Sequence, residues 1–147
     1  MKILFVCTGN TCRSPMALGL FQQILKREGR DEVFASSAGL SARGGDAAAE
    51  NAVSVCREVG VDIGGHRARK ITAEDLSAYD LFFVMSGTHA YILERAGAMP
   101  EKIYVPDQIF DPYGGDINVY RQCRDKISQE LERFYQEIVA PAVKAGL

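Results

Sequence analysis

The sequence has no tryptophan, only two histidines, and no apolar run near the roughly 18–20 residues that a membrane helix requires. A membrane-spanning role is therefore not expected. A dominant charge is missing too: 17 Lys+Arg against 19 Asp+Glu leave a net charge of −2. That gives neither nucleic acid nor a lipid surface a field to bind. His66 and His89 stand apart, with no paired-His or Cys-x-x-Cys spacing, so neither a metal site nor a metal cofactor is expected. Four cysteines, Cys7, Cys12, Cys56 and Cys123, are too sparse in 147 residues to read as a disulfide framework. The opening MKILFVCTGN lacks the length and small-residue cleavage site of a secretory signal. The expectation is a cytoplasmic protein with free thiols.

What is present suits one globular domain over residues 1–147, with 47% hydrophobic and 24% charged residues. Residues 2–6, KILFV, form a short apolar run that predicts a buried strand. Pro15, then Met16, Leu20, Ile24 and Leu25 at helical spacing, predict a helix ending before Gly29. A second strand is predicted over 33–37, a small-residue loop over 38–45 and a helix over 46–58. The stretch 76–85, centred on LFFVM, predicts a third strand, with Ser86 as cap of a following helix. A fourth, short strand is predicted at 103–105, a turn-rich loop at 111–115, and a long amphipathic helix over 117–139. This alternation predicts an α/β fold: one four-stranded parallel sheet with helices on both faces. Ligands then bind at the carboxyl edge of the sheet. Two loops are expected there, one after the first strand and one around Asp111.

The first of these loops carries the chemistry. Cys7-Thr8-Gly9-Asn10-Thr11-Cys12-Arg13-Ser14 joins a strand to a helix start. Such a loop turns backbone N–H groups inward, and the helix terminus adds positive potential, which together make an anion cradle. Gly9 permits tight backbone, and Asn10 tolerates a left-handed conformation. Arg13 supplies a planar fork for two phosphoryl oxygens. The same field favours a thiolate at Cys7, to which Ser14 can donate. These parts suit in-line attack of sulfur on phosphorus. A plainer reading is a buried cysteine and a surface arginine flanking an ordinary turn. Asp111 fits a proton donor opposite the cradle, although Asp-Pro also begins plain turns. Tyr113 fits either a pocket wall or a cover for the core. A lone His66 among Gly and Arg reads as a surface residue, and Arg67, Arg69 and Lys70 as a solvated face or a patch for acidic segments. Cys12, five positions from Cys7, reads either as a small packing residue or as a thiol close enough in the chain to bridge with Cys7 on oxidation.

CTGNTCRSPMA after ILFV, together with Ser37-Ala38-Gly39, the segment from His66 to Thr72, and Asp111-Pro112-Tyr113, resembles the low-molecular-weight protein tyrosine phosphatase family over nearly the whole chain. The resemblance implies hydrolysis of a phosphorylated protein substrate through a phosphocysteine, with no cofactor or metal. It implies Asp111 as general acid and then base, and a hydrogen-bond network of Asn10, Ser37 and His66 that shapes the phosphate loop.

Thr11 stands where tyrosine-directed members carry a bulky aliphatic residue. The loop, with DPYGGDINVYRQCRD, looks most like the bacterial protein-arginine-phosphatase branch. In that branch the threonine implies phosphoarginine as substrate. An apolar wall would leave guanidinium donors unpaired, whereas a small hydroxyl leaves room and a partner. Phosphotyrosine is the alternative substrate. A thiol-based arsenate reductase would need relay cysteines, yet residues 60–122 contain none. A non-catalytic phosphate-binding module would explain the cradle but not Cys7 or Asp111.

Overall fold

Residues 1–146 are described by a computed structural model. Strand β1, Lys2–Cys7, pairs in parallel with β2, Phe34–Gly39, on one side and with β3, Leu81–Val84, on the other. Strand β4, Ile103–Tyr104, adds to β3, giving the order β2-β1-β3-β4. The strand that carries Cys7 thus lies inside the sheet. Both faces of β1 are covered, which is why it reads as a continuous apolar run rather than an alternating one. Ile3, Phe5 and Cys7 face one core, and Leu4 and Val6 the other.

The larger core lies under α1, Arg13–Glu28, α2, Glu50–Arg57, and α5, Ile117–Phe134. Its centre is aromatic. Phe5 lies 5.3 Å from both Phe21 and Phe83, and Phe83 meets Phe134 at 5.1 Å. Truncating a buried phenylalanine of this kind to alanine costs about 3–5 kcal/mol. The smaller core lies between the sheet and α3, Ala73–Ala78, with α4, Gly87–Arg95. Helix α1 stops at Gly29, whose φ of 66° lets its N–H reach the carbonyls of Leu25 and Lys26.

Several expected boundaries move. Residues 76–78 belong to helix α3, not to the third strand, because Thr72 and Asp75 form a reciprocal capping box that starts a helical turn. Residues 46–49 precede α2 and are extended: the Asp46 carbonyl accepts from Ala68 N–H, and the Ala49 N–H donates to the Thr11 carbonyl. Ala38 and Gly39 extend β2 instead of opening the loop. The last helix runs past residue 139. A wide π turn, Tyr135–Val139, leads into α6, Ala140–Lys144. That turn comes directly before Pro141, whose ring would clash with the carbonyl of residue 137 in a regular helix.

Candidate active site

Cys7 ends β1 and is 3% exposed. The chain then turns through Thr8–Cys12 and enters α1 at Arg13, so the helix N-terminus points at the loop. The turn depends on Asn10, the one non-glycine with a positive φ, 57°, among the described residues. Gly9 does not have a positive φ, and a Cβ there would meet only Thr11 Oγ1 at 3.7 Å. The left-handed position is thus Asn10, as expected, and Gly9 is not forced into it. The close approach falls on Gly39, where a Cβ would sit 2.7 Å from the Thr8 carbonyl oxygen.

Asn10 is fully buried, and each end of its side chain is used. Its Nδ2 donates to Ser14 Oγ at 2.7 Å and to Ser37 Oγ at 3.0 Å. Its Oδ1 accepts from the backbone N–H of Arg69 at 3.0 Å. His66 Nε2 donates to the Asn10 carbonyl at 2.7 Å. Burial holds the His66 imidazole below its ordinary pKa, opposed by that hydrogen bond, so the neutral ring is favoured. Ser14 Oγ, having accepted from Asn10, has its own hydrogen free for Cys7 Sγ, 2.9 Å away. The Asn10 N–H points at the same sulfur from 3.3 Å. Asn10 and Ser14 thus lie behind the loop and orient it, while Thr8, Gly9, Thr11, Cys12 and Arg13 line the cavity in front of Cys7.

That cavity holds about 220 Å³, and Asp111 and Tyr113 line it opposite the loop. Arg13 is buried and joins the two walls. Its Nη1 donates to the Ile109 carbonyl at 3.0 Å, and its Nη2 lies 3.6 Å from Asp111 Oδ2. Asp111 also accepts the Tyr113 N–H, at 3.1 Å, in a tight local turn. Cys12 packs against the Tyr120 hydroxyl at 3.4 Å, and burial pushes its thiol above the ordinary range. Cys56 and Cys123 are buried in the larger core, and burial pushes each to about 12, which leaves them inert thiols.

The residues singled out in the sequence therefore converge on one cavity or its backing. Four contributors went unseen there: His89 and Ser86 beside Thr8, Tyr120 behind Cys12, and the Ile109 carbonyl under Arg13. Arg69 is not simply part of a solvated face, since its guanidinium pairs with Asp75 at 2.9 Å while its N–H holds Asn10. Only Ser86 carried a usable sign, as a helix cap just beyond a strand end. The other three depend on which strands are neighbours.

Residues 2–144 match the family model described as low molecular weight phosphotyrosine protein phosphatase. The chain is 34% identical to the protein-arginine-phosphatase of Bacillus subtilis, over 94% of this chain and 97% of that one. It is 33% identical to the probable low molecular weight protein-tyrosine-phosphatase EpsP of Ralstonia nicotianae, over 94% and 96%. Among solved structures it is similar to the YwlE arginine phosphatase, as a cysteine-to-serine variant with a phosphorylated active-site serine. The TM-score is 0.85 and the identity 32%, over 94% of this chain and 98% of that one. Matched by the family over residues 2–144 and by these relatives over nearly its whole length, the chain belongs to the low molecular weight phosphotyrosine protein phosphatase family.

Proposed function

We propose that the protein is a cysteine-dependent phosphatase that removes phosphate from phosphoarginine residues of proteins. The observation that carries this reading is the facing pair: a buried Cys7 in an N–H-lined turn, and Asp111 across the cavity, joined through Arg13. Cys7 Sγ attacks phosphorus in line. Arg13 and the inward N–H groups take up the charge of the three phosphoryl oxygens. Asp111 gives its proton to the departing nitrogen, so the P–N bond breaks and arginine leaves with its guanidinium intact. Asp111, now a carboxylate, takes a proton from water as that water attacks the phosphocysteine, releasing phosphate and restoring the thiolate. Thr8, Gly9, Thr11 and Cys12 form the wall, Ser14 holds the sulfur, and Asn10, Ser37 and His66 hold the loop. A cysteine-to-serine relative that carries phosphate on its active-site serine supports covalent transfer at this position.

Thr11 supports arginine over tyrosine. It lines the cavity beside Cys12, with its hydroxyl 3.9 Å from the Cys12 sulfur, and offers a guanidinium space and a polar neighbour. The relatives named as arginine phosphatases support the same choice. One observation favours the tyrosine reading: Tyr113, at the mouth of the cavity and 81% exposed, can stack on a phenol ring. Paired assays on phosphoarginine and phosphotyrosine peptides separate the two. Wild type should prefer phosphoarginine, and Thr11→Ile should move the ratio of kcat/KM toward phosphotyrosine by about one to two decades. A wild-type preference for phosphotyrosine, or an unmoved ratio, transfers the assignment to tyrosine.

A further inference from the structure

His89 takes no part in the reaction as written above, yet the fold buries it against the catalytic loop. It lies in the first turn of α4, just beyond β3, and is 5% exposed. Its Nε2 is 2.9 Å from Thr8 Oγ1, and its Nδ1 is 3.1 Å from Ser86 Oγ. Ser86 Oγ also accepts the backbone N–H of His89, at 3.3 Å, as the helix cap. Both ring nitrogens are thereby paired with hydroxyls.

A neutral imidazole offers one N–H and one lone pair. One hydroxyl therefore donates to the ring while the other accepts from it. In either arrangement Thr8 Oγ1 is held toward the ring. Threonine is stiff at χ1, so fixing Oγ1 also fixes where its methyl group stands. Thr8 is exposed, lines the catalytic cavity and directly follows Cys7. Among the described residues, the bond to this ring is the one that reaches its hydroxyl.

We propose that His89 is a positioning residue, which holds Thr8 in one rotamer and so fixes the wall beside Cys7 against which the group leaving phosphorus is oriented. This rests on the phosphatase reading of the cavity. Two further observations agree with it. The cradle itself is held from the other side, by Asn10, Ser14, Ser37 and His66, so the Thr8 link is not needed to shape it. Burial, with the nearby charge of Arg13 and against that of Asp111, holds His89 at about 4. The ring is then neutral at working pH and sets no second cation against Arg13.

The test is a double-mutant cycle on His89→Phe and Thr8→Val, read by kcat/KM on a phosphoarginine peptide and by the inhibition constant of inorganic phosphate. His89→Phe should lower kcat/KM about tenfold to a hundredfold and leave phosphate inhibition within about twofold. His89→Gln, which keeps a donor and an acceptor, should recover most of the loss. In the Thr8→Val background, His89→Phe should cost nothing further. Should His89→Phe fail to fold, Thr8→Val on its exposed residue removes the same hydrogen bond. It must then show the loss alone. Additive losses in the cycle, or weakened phosphate inhibition in parallel with kcat/KM, would overturn the proposal. Phosphate release from an aryl phosphate by the wild type, lost in Cys7→Ser, checks the underlying phosphatase reading separately.

Discussion

The two walls of the cavity are built in opposite ways. The loop from Cys7 to Ser14 is sealed into the fold: Asn10 and Ser14 are completely buried, and partners reach it from β2, α4, α5 and the segment around His66. The loop that carries Asp111 stands out from the surface. The Asp111 side chain is 52% exposed, Phe110 and Tyr113 more so, and the carboxylate is held by its own turn and a long contact to Arg13. The difference follows from what each wall does. A cradle that stabilises a transition state gains from donors already in place. A group that first gives a proton to a bulky leaving group and then takes one from water must serve two geometries, and a solvent-facing turn allows both.

The contrast can be broken first at the nucleophile. Cys7→Ser should abolish phosphate release from an aryl phosphate while the circular-dichroism spectrum is kept. Arg13→Lys should lose most activity, because a point charge cannot replace the fork that also holds Ile109. Substantial turnover in Cys7→Ser refutes the covalent route. At the acid, Asp111→Asn should slow hydrolysis of substrates with poor leaving groups by about 10²–10⁴-fold. Its melting temperature should barely move, since an exposed side chain away from the core changes stability by roughly 0.5 kcal/mol or less. Asn10→Ala should do the reverse of that decoupling. It strands Ser37 and the Arg69 N–H and leaves alanine at a positive φ, so urea unfolding should show a loss of about 3–4 kcal/mol together with the loss of activity. A stable but inactive Asn10→Ala would mean that the loop is not sealed as described.

The smallest expected effect is in acid. His89 is held at about 4 when folded, by burial and by Arg13, against an ordinary value of 6.5. The unfolded chain therefore binds the proton more readily, and stability rises with pH across that window. The contribution is complete above about pH 6.5 and falls away as the pH drops through 4, by about 3 kcal/mol in all. Urea midpoints of wild type and His89→Gln, measured across that range, should show a shallower acid slope in the variant. Parallel slopes would show that the ring is free to protonate in the folded chain.

The sealed loop was also the more legible one. A β strand before it, a proline-started helix after it and a Cys–Arg pair of fixed spacing are local signals, readable without knowing what lies nearby. The side chains that hold it were legible only through the family resemblance, because Ser37, His66 and Asn10 are brought together by strand order. His89 gave no sign, since nothing local says that the end of β3 lies beside the end of β1. Helix α3 was missed for a different reason. Leu76 and Tyr79 continue into the apolar run that follows them, and a helix of six residues is too short to show a period of its own. At Asp111 the carboxylate could be named, yet its distance from Arg13 depends on Ile109 being buried about a hundred residues from the loop it braces.

That braced arrangement bears on how the molecule comes into being. Arg13 is secured to Ile109, 96 positions away, and Cys12 meets Tyr120 across 108. Contacts between such remote parts of a chain carry the largest loop-closure cost and tend to form late. A partly assembled molecule, with β1, α1 and β2 in register, would possess its sulfur but neither a tethered guanidinium nor an acid. Turnover is thus a property of the finished molecule alone. A copy in which those remote contacts have not formed carries the same sulfur without the groups that hold charge and supply the proton.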